Sequence, residues 1–148
     1  MFASVVVSDY VYDTLSALSA VTSVVPAARM TGAMVVPPGT ALPALMFHMT
    51  ASEYGGVMNT QAAAHLDSET IRLEVRAIDD GTSDAGIYPV ALAQFNALSG
   101  VTATHTFDGG DYTLAFLPLG EIPLTTLVDG SNLYRQLGTI YQVDVFRA

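Results

Sequence analysis

The chain has 148 residues, no cysteine and a formal net charge of −9, and all five of its cations are arginines. That length fits one domain spanning residues 1–148, with room for a sizeable buried core. The absence of cysteine excludes disulfides, thiolate metal sites and a thiol nucleophile, and five arginines in no run make a phosphate-binding cationic face improbable. The charged fraction of 13% is about half the ~25% of an ordinary soluble domain, and the mean hydropathy is positive at +0.42. Either much of the exterior is covered by other protein, as in obligate interfaces, or an Ala-, Val- and Thr-rich domain stays in solution on its acidic charge. No stretch reaches the ~18 uninterrupted apolar residues of a membrane span. The opening MFASVVVSDY has no cationic leader and is interrupted by Asp9, so it is not read as a signal peptide.

In chain order, residues 4–18 read as a helix. Val7, Val11, Leu15 and Leu18 recur at helical spacing, with Ser4 or Ser8 as the expected cap. The β-branched run Val5–Val7 opposes helix at its front. Val21–Val25 adds a further turn, ended by Pro26. Residues 27–43 hold two glycines and three prolines and read as a loop across the body, with Ala33–Val36 extended.

Leu42–Thr50 is the first main strand. Leu45, Phe47 and Met49 alternate against Ala44, Met46 and His48. The stretch 51–66 is small, polar and aperiodic, centred on Gly55–Gly56. It reads as a protruding arm between two antiparallel strands, longer than a hairpin needs, with Tyr54 and Met58 as its large groups.

The most legible unit is Glu69–Gly100. Ile71, Leu73, Val75 and Ala77 point one way, and Arg72, Glu74 and Arg76 the other, the period-two pattern of a half-buried strand. An acidic turn around Asp79, Asp80 and Gly81 follows. A helix then shows Ile87, Ala91, Phe95 and Leu98 on one face and Gly100 at its C-terminal end. Pro89 places the helix start near Tyr88 or kinks it. Val101–Phe107 and Tyr112–Leu117 are strands joined by the turn Asp108-Gly109-Gly110-Asp111. Pro118–Pro123 breaks the pattern, and Leu124–Val128 is a short edge strand before the turn at Asp129-Gly130. In Leu133–Arg147, Leu133, Leu137, Tyr141, Val143 and Val145 share a face with Arg135 and Thr139, while Gln136, Gln142 and Asp144 lie on the other. A strand so regular belongs inside the sheet.

Chemistry-bearing motifs are sparse. His48, His65 and His105 form neither H-x-H nor H-E-x-x-H. His48 and His65 flank the arm, and a metal site there needs a third ligand such as Asp67 or Glu53. Asp79, Asp80 and Asp84 fit an acidic helix start better than a cation loop. No nucleophile elbow or dinucleotide fingerprint occurs, and without lysine there is no phosphate-loop lysine. No catalytic residue, cofactor or metal is expected.

The order of elements carries a resemblance. The amphipathic first helix, the V-T-S-V-V segment and Arg29 precede PPGTALPALMFHM, and a long loop leads into IRLEVRAID. The helix DAGIYPVALAQFNAL and a closing LYRQLGTIYQVDVF strand follow. This resembles the tail-terminator, or tail-completion, proteins of long-tailed bacteriophages. The 51–66 arm, the LPLGEIPLTTL stretch and Pro89 depart from that pattern.

The resemblance implies an α+β (α/β) fold: a mixed, mainly antiparallel sheet of four to five strands flanked by two helices. It implies a non-enzymatic virion protein assembled in the host cytoplasm. Identical copies form a ring, usually of six, that caps the tail tube and docks on the head–tail connector or stopper. DNA passes through the ring without specific binding, which suits the acidic surplus. Contact candidates are Tyr54, Gly55, Gly56, Val57 and Met58 of the arm and the Gly109–Gly110 turn. Asp79 and Asp80 are lumen candidates. Alternatives are another head–tail component (adaptor or stopper), a tube protein or, more distantly, a small metal-dependent hydrolase using His48, His65 and the acidic turn.

Overall fold

The β-branched and alternating segments settle into one sheet because each has a single apolar face to bury. The computed structural model describes residues 2–32, 39, 41–54, 68–81, 86–130 and 132–147. The elements are α1 (Ala3–Ser16), α2 (Ser19–Thr22), a 3₁₀ turn (Ala27–Arg29), β1 (Met30–Thr31), β2 (Ala44–Tyr54), β3 (Ser68–Asp79), α3 (Tyr88–Leu98), β4 (Thr102–Phe107), β5 (Gly110–Asp129) and β6 (Asn132–Arg147). The strand order is β1-β2-β3-β6-β5-β4. Every pairing is antiparallel except the short parallel β1–β2 contact. The fold is therefore α+β, a mixed and mostly antiparallel sheet flanked by helices, with six strands and three α-helices among the described residues rather than four to five and two.

β3 and β6 form the centre, paired from Ser68↔Phe146 to Asp79↔Arg135. Ile71, Leu73, Val75 and Ala77 of β3, and Tyr141, Val143 and Val145 of β6, are buried on the helix side, as their alternation predicts. The regular C-terminal strand does sit inside the sheet. Gly138 of β6 lies so close to β3 that a Cβ there would strike the Val75 carbonyl and approach the Arg76 Cα to 2.9 Å.

α1 lies across this apolar face on Val7, Val11 and Leu15, all fully buried. The sheet curls about the helix. Phe107 of β4 and Met49 of β2, with three strands between them, line one groove with α1. Helix capping differs from expectation. Ser4 and Ser8 lie inside the helix, and the N-cap position is Phe2, whose side chain caps nothing. Instead Ala3 N donates to Glu69 Oε2 at 3.1 Å. A buried carboxylate from β3 thus meets the positive end of the helix.

Three further differences concern strands. β1 arises inside the stretch read as loop. β2 runs on to Tyr54, paired with Glu69, so the first four residues of the 51–66 arm are strand, and residues 55–66 lie outside the described residues. Pro118–Pro123 does not end a strand: β5 continues past both prolines to Asp129, shifting register between Pro118 and Gly120 and between Ile122 and Thr125. β4 covers β5 only at Gly110–Ala115, so both prolines lie on the edge portion, where a missing N–H breaks no ladder.

The β4–β5 hairpin forms as read. Phe107 pairs with Gly110, and the intervening Asp108 (φ 48°) and Gly109 (φ 75°) both take the positive φ of a type I′ turn.

Candidate functional site

α3 begins at Tyr88 with Pro89 in its first turn, where the missing N–H is harmless. Ile87, Ala91 and Leu98 face the core, but Phe95 does not. It is 40% exposed, and Val90 and Gln94 are buried instead. A polar tether sets this rotation. Gln94 Nε2 donates to Thr139 Oγ1 at 2.8 Å, and the Tyr141 hydroxyl donates to Gln94 Oε1 at 2.8 Å. Burial pushes the Tyr141 phenol above its usual pKa, against the pull of its hydrogen-bond partners. Pinned through Gln94, the helix turns Tyr88, Leu92 and Phe95, spaced i, i+4 and i+7, away from the core.

That stripe forms one wall of a groove of about 430 Å³, with Pro118 and Leu119 of β5 opposite and Leu137 and Thr139 of β6 as its floor. Glu121 is the charged residue on its lining. Beyond the groove the sheet narrows. Among the described residues, β3 stops opposite Arg135 and β4 opposite Ala115, so the far end of β5 and β6 is a two-stranded ribbon. Val128 and Leu133 are register partners near its tip. They are 72% and 54% exposed, and Leu124 is 59% exposed.

The ribbon is tied at its base. Arg135 grips Asp79 with two hydrogen bonds, Nε–Oδ1 at 2.9 Å and Nη2–Oδ2 at 2.8 Å, and Gly81 N donates to the same Oδ1 at 3.0 Å. The Asp79 hydrogen bond and charge raise the Arg135 pKa. Gly81 and Gly86 lie against the guanidinium, and a Cβ added at either would stand within 4 Å of Arg135 side-chain atoms.

The sequence-derived candidates fall in several places. Asp79, read as a lumen charge, is buried at 1% exposure and committed to Arg135, so it offers a surface no free carboxylate. Asp80 is exposed. Gly109 and Gly110 line a separate groove of about 330 Å³ with Phe2, Val5 and Arg147. Tyr54 ends β2, and Gly55, Gly56, Val57 and Met58 lie outside the described residues.

Of the histidines, His48 is engaged on the outer face of the sheet. Its Nε2 lies 2.9 Å from Glu74 Oε2 and its Nδ1 3.4 Å from Arg76 Nη2. Burial first, then the Arg76 charge, lower its pKa against the pull of Glu74. The geometry suits a neutral ring that donates to Glu74 and accepts from Arg76. His65 and Asp67 lie outside the described residues. His105 Nε2 sits 2.8 Å from Asp9 Oδ2. Asp9, Asp13 and His105 bring three potential ligand atoms within 4.8 Å of one another on the solvent side of α1.

The α3–β5 groove and the ribbon tip went unread in the sequence. The available signal was LPLGEIPLTTLV, an apolar run with a single charge in a stretch whose prolines suggested a break. Comparison with protein-family models and with curated proteins returns no match.

Proposed function

We propose that this chain is a structural subunit of a phage tail, a tail-terminator protein. Its ring caps the tail tube, ends polymerisation and joins the tail to the head connector. The observation that carries this reading is the exterior. Among the described residues, twelve large apolar side chains are at least 38% exposed, in a chain whose charged fraction is only 13%. Scattered exposed leucines are ordinary. Here several gather in one groove and one ribbon, the arrangement expected of surfaces covered by protein. The mixed sheet with flanking helices suits what the resemblance implies. The acidic surplus suits a channel that passes DNA without holding it, with Asp80 the better placed of the two acidic candidates to contribute.

The action is geometric. A ring seated on the last tube layer occupies the face on which the next layer would add and presents a different face to the connector. A connector adaptor, a stopper or a tube protein is the neighbouring alternative. The more distant alternative is a small metal-dependent hydrolase; of its histidines, His48 is held by Glu74 and Arg76 and His65 lies outside the described residues. Electron microscopy of the purified protein, alone and mixed with tail tubes, tests the proposal. The expected result is rings at one tube end and tubes that stop growing. Long cylinders formed by the protein alone would make it a tube protein, and tubes that stay bare and keep growing would overturn the reading.

A further inference from the structure

We propose that Asp9, Asp13 and His105 form a binding site for one zinc-class divalent cation, which clips α1 to the edge strand β4. The site is separate from the two histidines of the hydrolase alternative, and it stands whether or not the tail reading does. Asp9 and Asp13 lie one turn apart on α1, and His105 comes from β4, ninety-six residues beyond Asp9. One ligand atom from each lies within 4.8 Å of the other two.

Asp13 stands where local rules oppose a carboxylate. It lies in the last turn of α1, which carries no basic residue, at the negative end of the helix dipole. Asp9 is four residues before it, a like charge at the spacing that repels. The chain has no lysine, and among the described residues no arginine and no hydrogen-bond donor meets the Asp13 carboxylate. The one nearby donor, His105 Nε2, is given to Asp9 Oδ2 at 2.8 Å. A position that breaks local rules with no return to the fold is where a ligand site is expected. A cation held between the two carboxylates reverses both penalties.

The imidazole is already aimed. His105 is 14% exposed in its side chain. Its ring meets Tyr10 edge-on, with centroids 5.5 Å apart at 73°, and Tyr10 in turn rests against Phe116. Nε2 donates to Asp9, because a carboxylate only accepts. A metal takes the place of that proton, and the neutral ring keeps the other on Nδ1. Tetrahedral zinc holds nitrogen and oxygen ligands at ~2.0–2.1 Å, so its ligand atoms stand roughly 3.3 Å apart. The Nε2–Oδ2 pair therefore opens from 2.8 Å by about half an ångström, and the exposed Asp13 swings in to close the third side. A nitrogen ligand favours zinc and its neighbours over calcium or magnesium, which take oxygen sets. Three protein ligands leave the fourth position to water.

The test is titration of the full chain with zinc chloride, followed by calorimetry and thermal melting. One ion per chain is expected to bind and to raise the melting temperature, while calcium or magnesium at the same concentration leaves it unmoved. Asp13→Asn, at an exposed position, should weaken zinc binding by more than about 10-fold, the least that removing even a partner of a ligand costs. His105→Gln should do the same, and His48→Gln should not. The melting order supplies a readout that a purely structural Asp13 would not give. In chelator, Asp13→Asn should melt at or above the parent, because it removes the repulsion. At a zinc concentration that saturates the parent, it should melt below. No zinc uptake at millimolar concentration overturns the inference. So does binding that survives both Asp13→Asn and His105→Gln, which puts the ion elsewhere, or a calcium response equal to that of zinc, which reduces the site to surface acids. An Asp13→Asn chain that melts below the parent in chelator as well assigns the residue to the fold and overturns it too.

Discussion

Strand β6 passes through two very different settings. At its C-terminal half it lies between β3 and β5 beneath the helices, and Tyr141, Val143 and Val145 are fully buried. At its N-terminal end it has, among the described residues, β5 alone beside it, and Leu133, in phase with the same set, is 54% exposed. The alternation is continuous across both halves. Periodicity therefore reports which way a side chain points, while burial depends on whether another element lies over that face. Where none does, the same apolar pattern makes a surface that another protein can cover.

Substitutions in the two halves should behave accordingly. The largest effect is expected at the centre. Leu73→Ala removes a fully buried side chain and should cost about 2–5 kcal/mol in denaturant unfolding. Val128→Thr at the ribbon tip should stay within about 0.5 kcal/mol. Equal losses at the two positions would erase the contrast.

Gly138→Ala comes next. Its new Cβ meets the Val75 carbonyl and the adjacent Arg76 Cα of the β3 backbone, and no side chain can swing away to relieve it, so a loss of about 1–3 kcal/mol is expected. An unshifted melting temperature would mean that β3 and β6 pack less closely than described.

Tyr141→Phe keeps the ring but leaves Gln94 Oε1 without its donor. A loss of about 1–2 kcal/mol is expected. If Gln94 does aim α3, solvent quenching of Tyr88 fluorescence in a background of single-site tyrosine variants should change as well.

The smallest effect concerns pH. The folded-state pKa of His48 lies below the 6.5 of the free group, so the unfolded chain takes up the proton first. Stability is then complete above about pH 6.5 and falls as pH drops from there toward the lowered folded value. His48→Gln should flatten that part of the stability–pH curve, and an unaltered slope would assign it to other groups.

Much of the supported half was legible in the sequence. The β3 alternation, the positive-φ turn at Asp108-Gly109, Pro89 in a first helical turn and the inner placement of β6 all follow from local rules. What was not legible depends on distant partners. Glu69 reads as the start of a strand, yet it reaches sixty-six residues back to the amide of Ala3. Phe95 fits the core stripe of α3 by spacing alone, and only the Gln94 tether to Thr139 and Tyr141 turns it outward. Pro118 and Pro123 break a central strand by rule, but they are compatible with an edge, and edge position is a property of the assembled sheet. The groove stayed hidden because its walls belong to two segments that sequence reading kept apart.

The Arg135–Asp79 clasp ties the end of β3 to the first residues of the ribbon in β6. Its arginine stands where the ribbon leaves the body, and its carboxylate closes β3, so one bidentate grip anchors the root of the ribbon to the centre of the sheet. A load on the ribbon is therefore carried into the β3–β6 pair as well as along the β5–β6 ladder.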